Sequence, residues 1–349
     1  MFKYSLYTGI TLLLSGCKLF VPSKYQNYFS DQPWDNIRLA KTDEIPQVVD
    51  SMVIMRSNRE FYPYRKKFLG DKIDSTQQDR TFLVIAKNSK WIVYPVKDIN
   101  SGISLTNKKQ DLVVYVEGMG KNFYHAGHRA FGLSSQYKVL VVMMDYPSIE
   151  PEYGLIKNFR YARKNSFATA PSLINLLKEL DNEKIAGKDW TKENWTLFHH
   201  SMGNIMLKRI MKERSDTILS PGLFDLVVFN AACTEMKNHH LWLEQSKLGK
   251  INIIHYNQDD RQLKGARILA LKRQLGCKPG RHLAKNATYI DFNPLVGPRH
   301  STFAEIPLRP PIHPHAREYF NQIFNGKYPD YKNKDKFSKV KNGTGYYLK

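Results

Sequence analysis

Short apolar runs alternate with longer amphipathic stretches over residues 76–326, and this alternation is typical of a sheet covered by helices. The run 112–116, Leu-Val-Val-Tyr-Val, is apolar throughout, as expected for a strand covered on both faces. The first two predicted strands lie a few residues apart, which predicts an antiparallel hairpin at the sheet edge. The pattern predicts an α/β fold with a mostly parallel central sheet of about eight strands and helices on both faces. The predicted strands are 81–86, 91–96, 112–116, 139–144, 195–199, 225–230, 251–256 and 288–291.

The regions on either side of this 76–326 domain have different patterns. Residues 18–75 contain four prolines among polar and aromatic stretches, so we expect a tether followed by a packed lead-in segment. Residues 327–349 are rich in lysine, which predicts a basic, solvated tail able to contact anionic headgroups. Within the domain, helical spacing predicts a helix over 261–275. Its expected buried side is formed by Leu263, Ile268, Leu271 and Leu275.

The first seventeen residues, MFKYSLYTGITLLLSGC, have the pattern of an export signal. Lys3 gives a positive start, and the apolar run that follows is too short to span a bilayer. The ending Leu-Ser-Gly-Cys at 14–17 resembles the bacterial lipobox at all four positions. We therefore expect lipidation of Cys17 and a body tethered to the bacterial cell envelope. The alternative is an ordinary cleaved signal or a signal anchor in which Cys17 is incidental.

Composition and charge narrow the class of protein. A chain of 349 residues with 42% hydrophobic and 24% charged residues is neither disordered nor collagen-like. The net charge of +21 favours anionic surfaces such as phospholipid headgroups or acidic glycans, and we do not expect specific nucleic-acid recognition. Beyond Cys17 the chain has only Cys233 and Cys277, which are too few for a disulfide framework. We expect two free or buried thiols, although they could pair in an oxidising compartment.

The stretch 195–204, Trp-Thr-Leu-Phe-His-His-Ser-Met-Gly-Asn, is the most informative part of the chain. It predicts an apolar strand that enters a helix through a sharp turn. Such a turn raises the Ser201 hydroxyl above the sheet edge and points the first helix amides at a reacting oxygen. Small residues are needed beside this serine, and Gly203 supplies one of them. His199 replaces the first glycine of G-x-S-x-G, so a serine that only caps a helix is the alternative.

Two later predicted strands end beside residues that would complete a serine triad. Asp259 and Asp260 follow the strand 251–256, and His300 follows the strand 288–291. Open parallel sheets place their sites in such loops, and α/β-hydrolases carry their triad in the order Ser, Asp, His. In this hypothesis Ser201 attacks, His300 accepts and returns the proton, and Asp260 orients the imidazole.

From about residue 110 to 305, the chain resembles an uncharacterised bacterial family of serine hydrolases with the α/β-hydrolase fold. Five ordered segments carry the resemblance: Glu-Gly-Met-Gly at 117–120, Asp-Tyr-Pro-Ser at 145–148, His-His-Ser-Met-Gly-Asn at 199–204, Asp-Asp-Arg-Gln-Leu at 259–263 and Arg-His-Ser at 299–301. The resemblance implies the α/β-hydrolase fold. It also selects Asp260 over Asp259, and His300 over His313 and His315.

Two residues depart from the family pattern. Glu117 stands where the family has His, beside the loop expected to form half of the oxyanion hole. A carboxylate there opposes a developing oxyanion unless it is paired or turned away. His199 stands in place of a small residue, where it either crowds the turn or packs under it. We expect the backbone amides of Met202 and Met119 to be the oxyanion donors, because backbone donors survive a change of side chain.

The other polar residues that could form an acid, metal or phosphate site are better explained by structural roles. Asp145 also ends a predicted strand and is an alternative acid, although an Asp before Tyr-Pro more often caps a turn. Adjacent histidines occur at 199–200 and 239–240 without metal-motif spacing, and neighbours on a strand point to opposite faces, so we expect no metal site. The glycines at 118–120 lack the spacing of a phosphate loop. The expected mechanism needs no cofactor.

Three functions follow, in order of preference. The first is a lipid-anchored serine hydrolase that cleaves an acyl-containing small molecule or lipid, by default a carboxylic ester, through an acyl-Ser201 intermediate. The second is a catalytically degenerate lipoprotein that acts in binding or as a scaffold, which Glu117 and His199 motivate. The third is an anionic-polymer binder that uses the net charge of +21.

Overall fold

The computed structural model describes residues 32–41, 51–87, 90–106, 109–187, 194–305, 310–340 and 345–349. The predicted signal segment 1–17 and its lipidation residue Cys17 lie outside these residues. In the described residues, no helix is both long and apolar enough to cross a membrane.

Within the described residues, twelve strands form one large sheet, so the expectation of about eight strands is wrong in number. The mostly parallel α/β arrangement is confirmed, since eight strand pairs are parallel and three are antiparallel. The order across the sheet is β1-β6-β5-β2-β8-β7-β9-β10-β11-β12-β14-β13, and β3 pairs with β4 separately. The strands are β1 Ile37–Leu39, β2 Ser51–Ser57, β3 Arg59–Phe61, β4 Leu69–Ile73, β5 Arg80–Lys87, β6 Lys90–Val96, β7 Leu112–Val116, β8 Leu140–Asp145, β9 Trp195–His200, β10 Phe224–Asn230, β11 Gly249–Tyr256, β12 Ala287–Asp291, β13 Phe337–Lys339 and β14 Tyr346–Leu348.

All eight predicted strands are present as β5 to β12, and the additional strands come from the two flanking regions. β2 lies inside the sheet between β5 and β8, so a boundary at residue 76 does not separate the lead-in segment from the sheet. In the tail, β14 pairs with β12 and β13 pairs with β14, so the tail is not only a solvated end. Strands of three residues are too short for an alternation pattern to reveal them, which is why the sequence does not predict β1, β13 or β14.

Helices cover both faces of the sheet. Leu112, Val114 and Val116 of β7 belong to one apolar core, which the first, fourth, fifth and sixth helices cover. Val113 and Tyr115 belong to a second core under the second and ninth helices. This alternation explains why the strand is apolar throughout. The helices are α1 Ile99–Ser104, α2 Phe123–Tyr137, α3 Leu155–Ala168, α4 Ala170–Ile185, α5 Asn204–Lys212, α6 His239–Leu243, α7 Arg261–Ala270, α8 Asn293–Val296 and α9 Pro314–Phe324.

The helix predicted over 261–275 ends early, at Ala270. Leu271 has a φ of 52°, a left-handed conformation that terminates the helix. Leu263 and Leu275 are buried as expected, but Ile268 is 55% exposed and Leu271 is 90% exposed. The predicted apolar stripe is therefore wrong at these last two positions.

Candidate active site

Ser201 lies on a strained turn between β9 and α5. Its φ of 51° is in the left-handed region, and a 3₁₀ turn over Ser201–Gly203 leads into the helix. The side chain of Ser201 caps neither this turn nor α5, whose N-cap residue is Gly203. A strained serine at the carboxyl end of a central strand is the geometry of a nucleophile elbow, in which backbone strain is associated with function.

Two glycines allow the neighbouring chains to approach this turn. A Cβ on Gly203 would lie 2.8 Å from the carbonyl oxygens of both Val116 and Glu117. A Cβ on Gly118 would lie 2.6 Å from Ser201 Cβ and 3.1 Å from its Oγ. The 2.8 Å contact at Gly203 and the 2.6 Å contact at Gly118 are too short for any side chain. The loop after β7 and the serine turn therefore pack together only with glycine at these positions.

Asp260 and His300 form a buried pair at the same edge of the sheet. His300 Nδ1 lies 2.5 Å from Asp260 Oδ2, and Asp260 is completely buried. The other carboxylate oxygen, Oδ1, accepts hydrogen bonds from the amides of Gln262 and Leu263 and caps α7. The helix therefore fixes the carboxylate, and the carboxylate fixes the imidazole with Nε2 directed away from it. Asp259 is instead exposed and forms an ion pair with Lys264.

Asn257 joins the loops that carry Asp260 and His300, a role that its sequence position alone did not reveal. Its Nδ2 donates to the carbonyls of Gly297 and Arg299 at 2.7 and 2.9 Å, and its backbone carbonyl accepts from the Asp260 amide at 3.2 Å. Asn257 thus links the two loops through its side chain and its backbone together. A polar residue directly after a predicted strand was the available signal.

The structure brings Ser201, Asp260 and His300 to one edge but does not connect all three. No hydrogen bond joins Ser201 Oγ to His300 among the described side chains, whereas the backbone carbonyl of Ser201 accepts from the Cys233 amide at 3.0 Å. The neighbouring His200 ring lies 4.7 Å from the His300 ring, centroid to centroid. Catalytic hydrogen bonds are often long in ligand-free enzymes and tighten when substrate binds.

The two expected oxyanion donors lie on the two segments that meet at this turn, the loop after β7 and the start of the serine turn. Met202 directly follows Ser201, and its amide nitrogen lies 3.3 Å from the position of a Cβ on Gly118. Met119 follows Gly118 and contacts the small apolar cluster that contains Met202. The Gly118 amide donates to Glu117 Oε1 at 2.8 Å, so the amides of Met202 and Met119 remain the better candidates.

Glu117 is ionised and held by neighbouring groups. Its carboxylate accepts from Tyr115 Oη at 2.7 Å and lies 3.5 Å from Arg129 Nε and 3.8 Å from His200 Nε2. Burial raises the pKa of Glu117, but the positive charges of Lys121 and Arg129 and the Gly118 amide lower it, and the net shift is downward. The carboxylate is thus paired, which meets the condition under which it need not oppose a developing oxyanion.

The adjacent histidines of β9 point to opposite faces. His199 packs beneath the turn, with Nδ1 2.9 Å from the Gly203 carbonyl, and burial lowers its pKa to about 4. His200 contacts Asn230 at 2.8 Å and Ser301 Oγ at 3.2 Å, and burial lowers its pKa to about 3. Both rings are therefore neutral at pH 7. His199 supports the turn from below rather than crowding Ser201.

Asp145 serves neither as an acid for His300 nor as a turn cap. Its carboxylate accepts from Ser57 Oγ at 2.7 Å and from Arg59 at 2.8 and 3.1 Å. Arg59 is completely buried and also donates to the carbonyls of Tyr146 and Lys121. The pair therefore connects β3 and β8 to the loop that carries Met119. Arg59 could not be predicted from its position, because it lies in the region expected to be a tether and lead-in.

The two described cysteines are free thiols. Cys233 is buried, and burial raises its pKa to about 12, while Cys277 is partly exposed and its pKa is also raised by burial. The residues that the structure describes contain no group of three or more His, Cys, Asp or Glu side chains placed to hold a metal ion.

Comparison with known proteins gives little similarity. No protein-family model matches the chain, and no curated protein matches it. One similar solved structure is an uncharacterised protein from Capnocytophaga ochracea DSM 7271, with a TM-score of 0.33 and 10% sequence identity. The match covers 69% of this chain and 58% of that one, so the chain spans less than two thirds of the length of this neighbour.

Proposed function

We propose that the protein is a serine hydrolase with the α/β-hydrolase fold, and that it cleaves carboxylic esters. The observation that carries the proposal is the buried His300–Asp260 pair, 2.5 Å between Nδ1 and Oδ2, at the sheet edge where Ser201 has a φ of 51°. An acid, a base and a strained serine at the carboxyl ends of parallel strands form the constellation of covalent acyl transfer.

In this mechanism Ser201 Oγ attacks the ester carbonyl while His300 Nε2 takes its proton. Asp260 stabilises the resulting imidazolium, and α7 keeps the carboxylate in place through its capping hydrogen bonds. The amides of Met202 and Met119 stabilise the tetrahedral oxyanion. His300 then returns the proton to the leaving alcohol. In the second half of the reaction His300 takes a proton from water, the water attacks the acyl-Ser201 ester, and the carboxylic acid leaves as Ser201 regains its proton.

Labelling with a fluorophosphonate probe tests the proposal. We expect the probe to label the wild-type protein but neither Ser201→Ala nor His300→Ala, because it reacts only with an activated serine. The matched controls are Ser135→Ala and His282→Ala, which change exposed residues far from the turn in sequence and retain labelling. Absence of labelling in folded wild-type protein contradicts the proposal.

Two further variants separate chemistry from folding in the same experiment. Asp260→Asn keeps a side-chain oxygen able to cap α7 but cannot stabilise the imidazolium, so ester hydrolysis falls on the order of 10⁴-fold. Gly118→Ala places a methyl group against Ser201 and abolishes labelling, whereas Gly132→Ala, which meets no atom within 4 Å, does not. Equal activity in Asp260→Asn and wild type would remove Asp260 from the triad.

A non-catalytic binding or scaffold role is the second candidate. The specific observation in its favour is that, in the described structure, Ser201 Oγ makes no hydrogen bond to His300. It predicts a folded protein that does not label and whose partners are unaffected by Ser201→Ala.

We also propose that the protein is lipid-anchored at Cys17 in the bacterial cell envelope. The support is the Leu-Ser-Gly-Cys ending of the predicted signal segment. The anchor and the basic surface would bring the hydrolase to a membrane that carries negative charge.

A further inference from the structure

A cavity of about 510 Å³, open to solvent on one side, lies between α3, α5 and the segments 233–235 and 270–274, and its basic residues on α3 are exposed. We call it the basic cavity, because seven of the sixteen described residues that line it are Lys or Arg, and among them only Glu235 is acidic. Its volume is within the range of about 300–1,000 Å³ that is usual for small-molecule sites.

Helical spacing explains why the positive charge is concentrated there. Arg160, Arg163 and Lys164 lie three and four residues apart, so they share one face of α3, a helix that contains no acidic residue. Lys208 and Lys212 share one face of α5 in the same way. The two basic faces line the same cavity.

Carboxylates neutralise only part of this charge. Of the seven basic residues, Arg209 pairs with Glu213 and Lys272 pairs with Glu235. The other five form no ion pair with a carboxylate in the part of the chain that the structure describes. Burial lowers the pKa of Lys208, the nearby Glu235 raises it, and the charges of Lys212, Lys272 and Arg163 lower it further, so the net shift is downward. Like charges held close together destabilise the empty cavity, and a bound anion would relieve that repulsion.

The basic cavity reaches the serine turn. Its wall includes Met202, which follows Ser201, and Cys233, whose amide donates to the Ser201 carbonyl. The Ser166 hydroxyl donates to the Met202 carbonyl at 2.8 Å and ties α3 to the turn. The apolar part of the lining, which includes Phe159 and Ile205, offers contact to an acyl chain or an aromatic ring.

We propose that the basic cavity binds the acidic group of the ester that Ser201 attacks, so that the preferred substrates are acyl esters that carry a phosphate. This inference rests on the proposed serine hydrolase function. It adds the substrate class, since a basic cavity that reaches the turn carrying Ser201 would increase the local concentration of anionic esters and orient them.

Two esters with the same acyl group test the inference: 4-methoxyphenyl butyrate, which is neutral, and 4-(butyryloxy)phenyl phosphate. We expect a higher kcat/KM for the phosphate ester. In Arg160→Gln/Arg163→Gln the ratio of kcat/KM between phosphate and neutral ester falls at least tenfold, because charge-assisted hydrogen bonds are lost. The control variants Arg281→Gln and Lys178→Gln change exposed residues outside the cavity and leave the ratio unchanged. Added salt lowers the ratio in wild type.

A second arm identifies the source of the phosphate. Dihexanoyl phosphatidylglycerol is assayed as monomers, and long-chain phosphatidylglycerol is assayed in vesicles. If Arg160→Gln/Arg163→Gln hydrolyses the monomers more slowly than wild type, the result supports binding of a single anionic ester. If its hydrolysis is slower on vesicles alone, the basic residues serve membrane attachment and the inference is overturned.

The two proposals fail in different ways. An unchanged ratio in Arg160→Gln/Arg163→Gln, with hydrolysis of the neutral ester intact in wild type, overturns the substrate class and leaves the hydrolase standing. No hydrolysis of either ester and no fluorophosphonate labelling overturns the hydrolase and, with it, this inference. Calorimetric titration of Ser201→Ala with phenyl phosphate provides a readout without turnover, and no binding there counts against the basic cavity as an anion site.

Discussion

Asp145 and Arg59 form a buried ion pair whose disruption should destabilise the protein. The Asp145 carboxylate accepts three hydrogen bonds, at 2.7, 2.8 and 3.1 Å, and two of them come from Arg59. The Asp145→Ala variant leaves the Arg59 guanidinium completely buried without its main counter-charge. Removing one partner of a buried pair costs about 3–5 kcal/mol, because an uncompensated charge stays in a medium of low polarity.

Asp71 reduces this cost in part. Its Oδ1 lies 3.6 Å from Arg59 Nη1, so some negative charge remains near the guanidinium after Asp145 is removed. We therefore expect Asp145→Ala to lower the free energy of unfolding by about 3–4 kcal/mol. The loss is a large fraction of the roughly 5–15 kcal/mol by which globular proteins are stable.

Urea unfolding followed by tryptophan fluorescence measures the effect. The double variant Arg59→Met/Asp145→Leu should lose less free energy of unfolding than Arg59→Met and Asp145→Leu lose in sum, because it leaves neither partner of the pair buried alone. Glu305→Ala is the control, since it breaks an ion pair with Arg317 in which both side chains are more than 40% exposed. Such a surface pair contributes at most about 1 kcal/mol. A loss below about 1 kcal/mol in Asp145→Ala, similar to the control, would refute the reasoning.

Two predictions remain. Burial lowers the pKa of His199 to about 4 and that of His200 to about 3, whereas both titrate near 6.5 when unfolded. The unfolded state therefore binds more protons as the pH falls from 6.5 to 4, and stability falls by at most about 1.4 kcal/mol per pH unit for each histidine. The urea midpoint should thus decrease between pH 6.5 and 5, and a constant midpoint contradicts this assignment. For the lipid anchor, Cys17→Ser should abolish incorporation of labelled palmitate and release the protein from the membrane fraction; unchanged membrane association contradicts lipidation at Cys17.

Local sequence patterns determine those parts of the protein whose physical cause is itself local. Each of the eight predicted strands is an apolar run long enough to show its character, and each is present in the sheet. Asp260 and His300 could be placed in loops after strands, because parallel strands bring such loops to one edge whatever the details of packing. The sharp turn at Ser201 could be predicted because a strand-to-helix turn of this kind needs small neighbours, such as Gly203.

Only the tertiary structure determined the features that depend on residues far apart in the chain. Arg59 and Asp145 are separated by 86 positions, and nothing in the segment around Arg59 indicates that it is buried. The short strands β13 and β14 exist because β12 offers them an edge, and their own sequences are too short to predict them. The basic cavity likewise forms because packing brings the faces of α3 and α5 together. Sequence periodicity specifies which face of a helix is charged, and tertiary packing decides what that face meets.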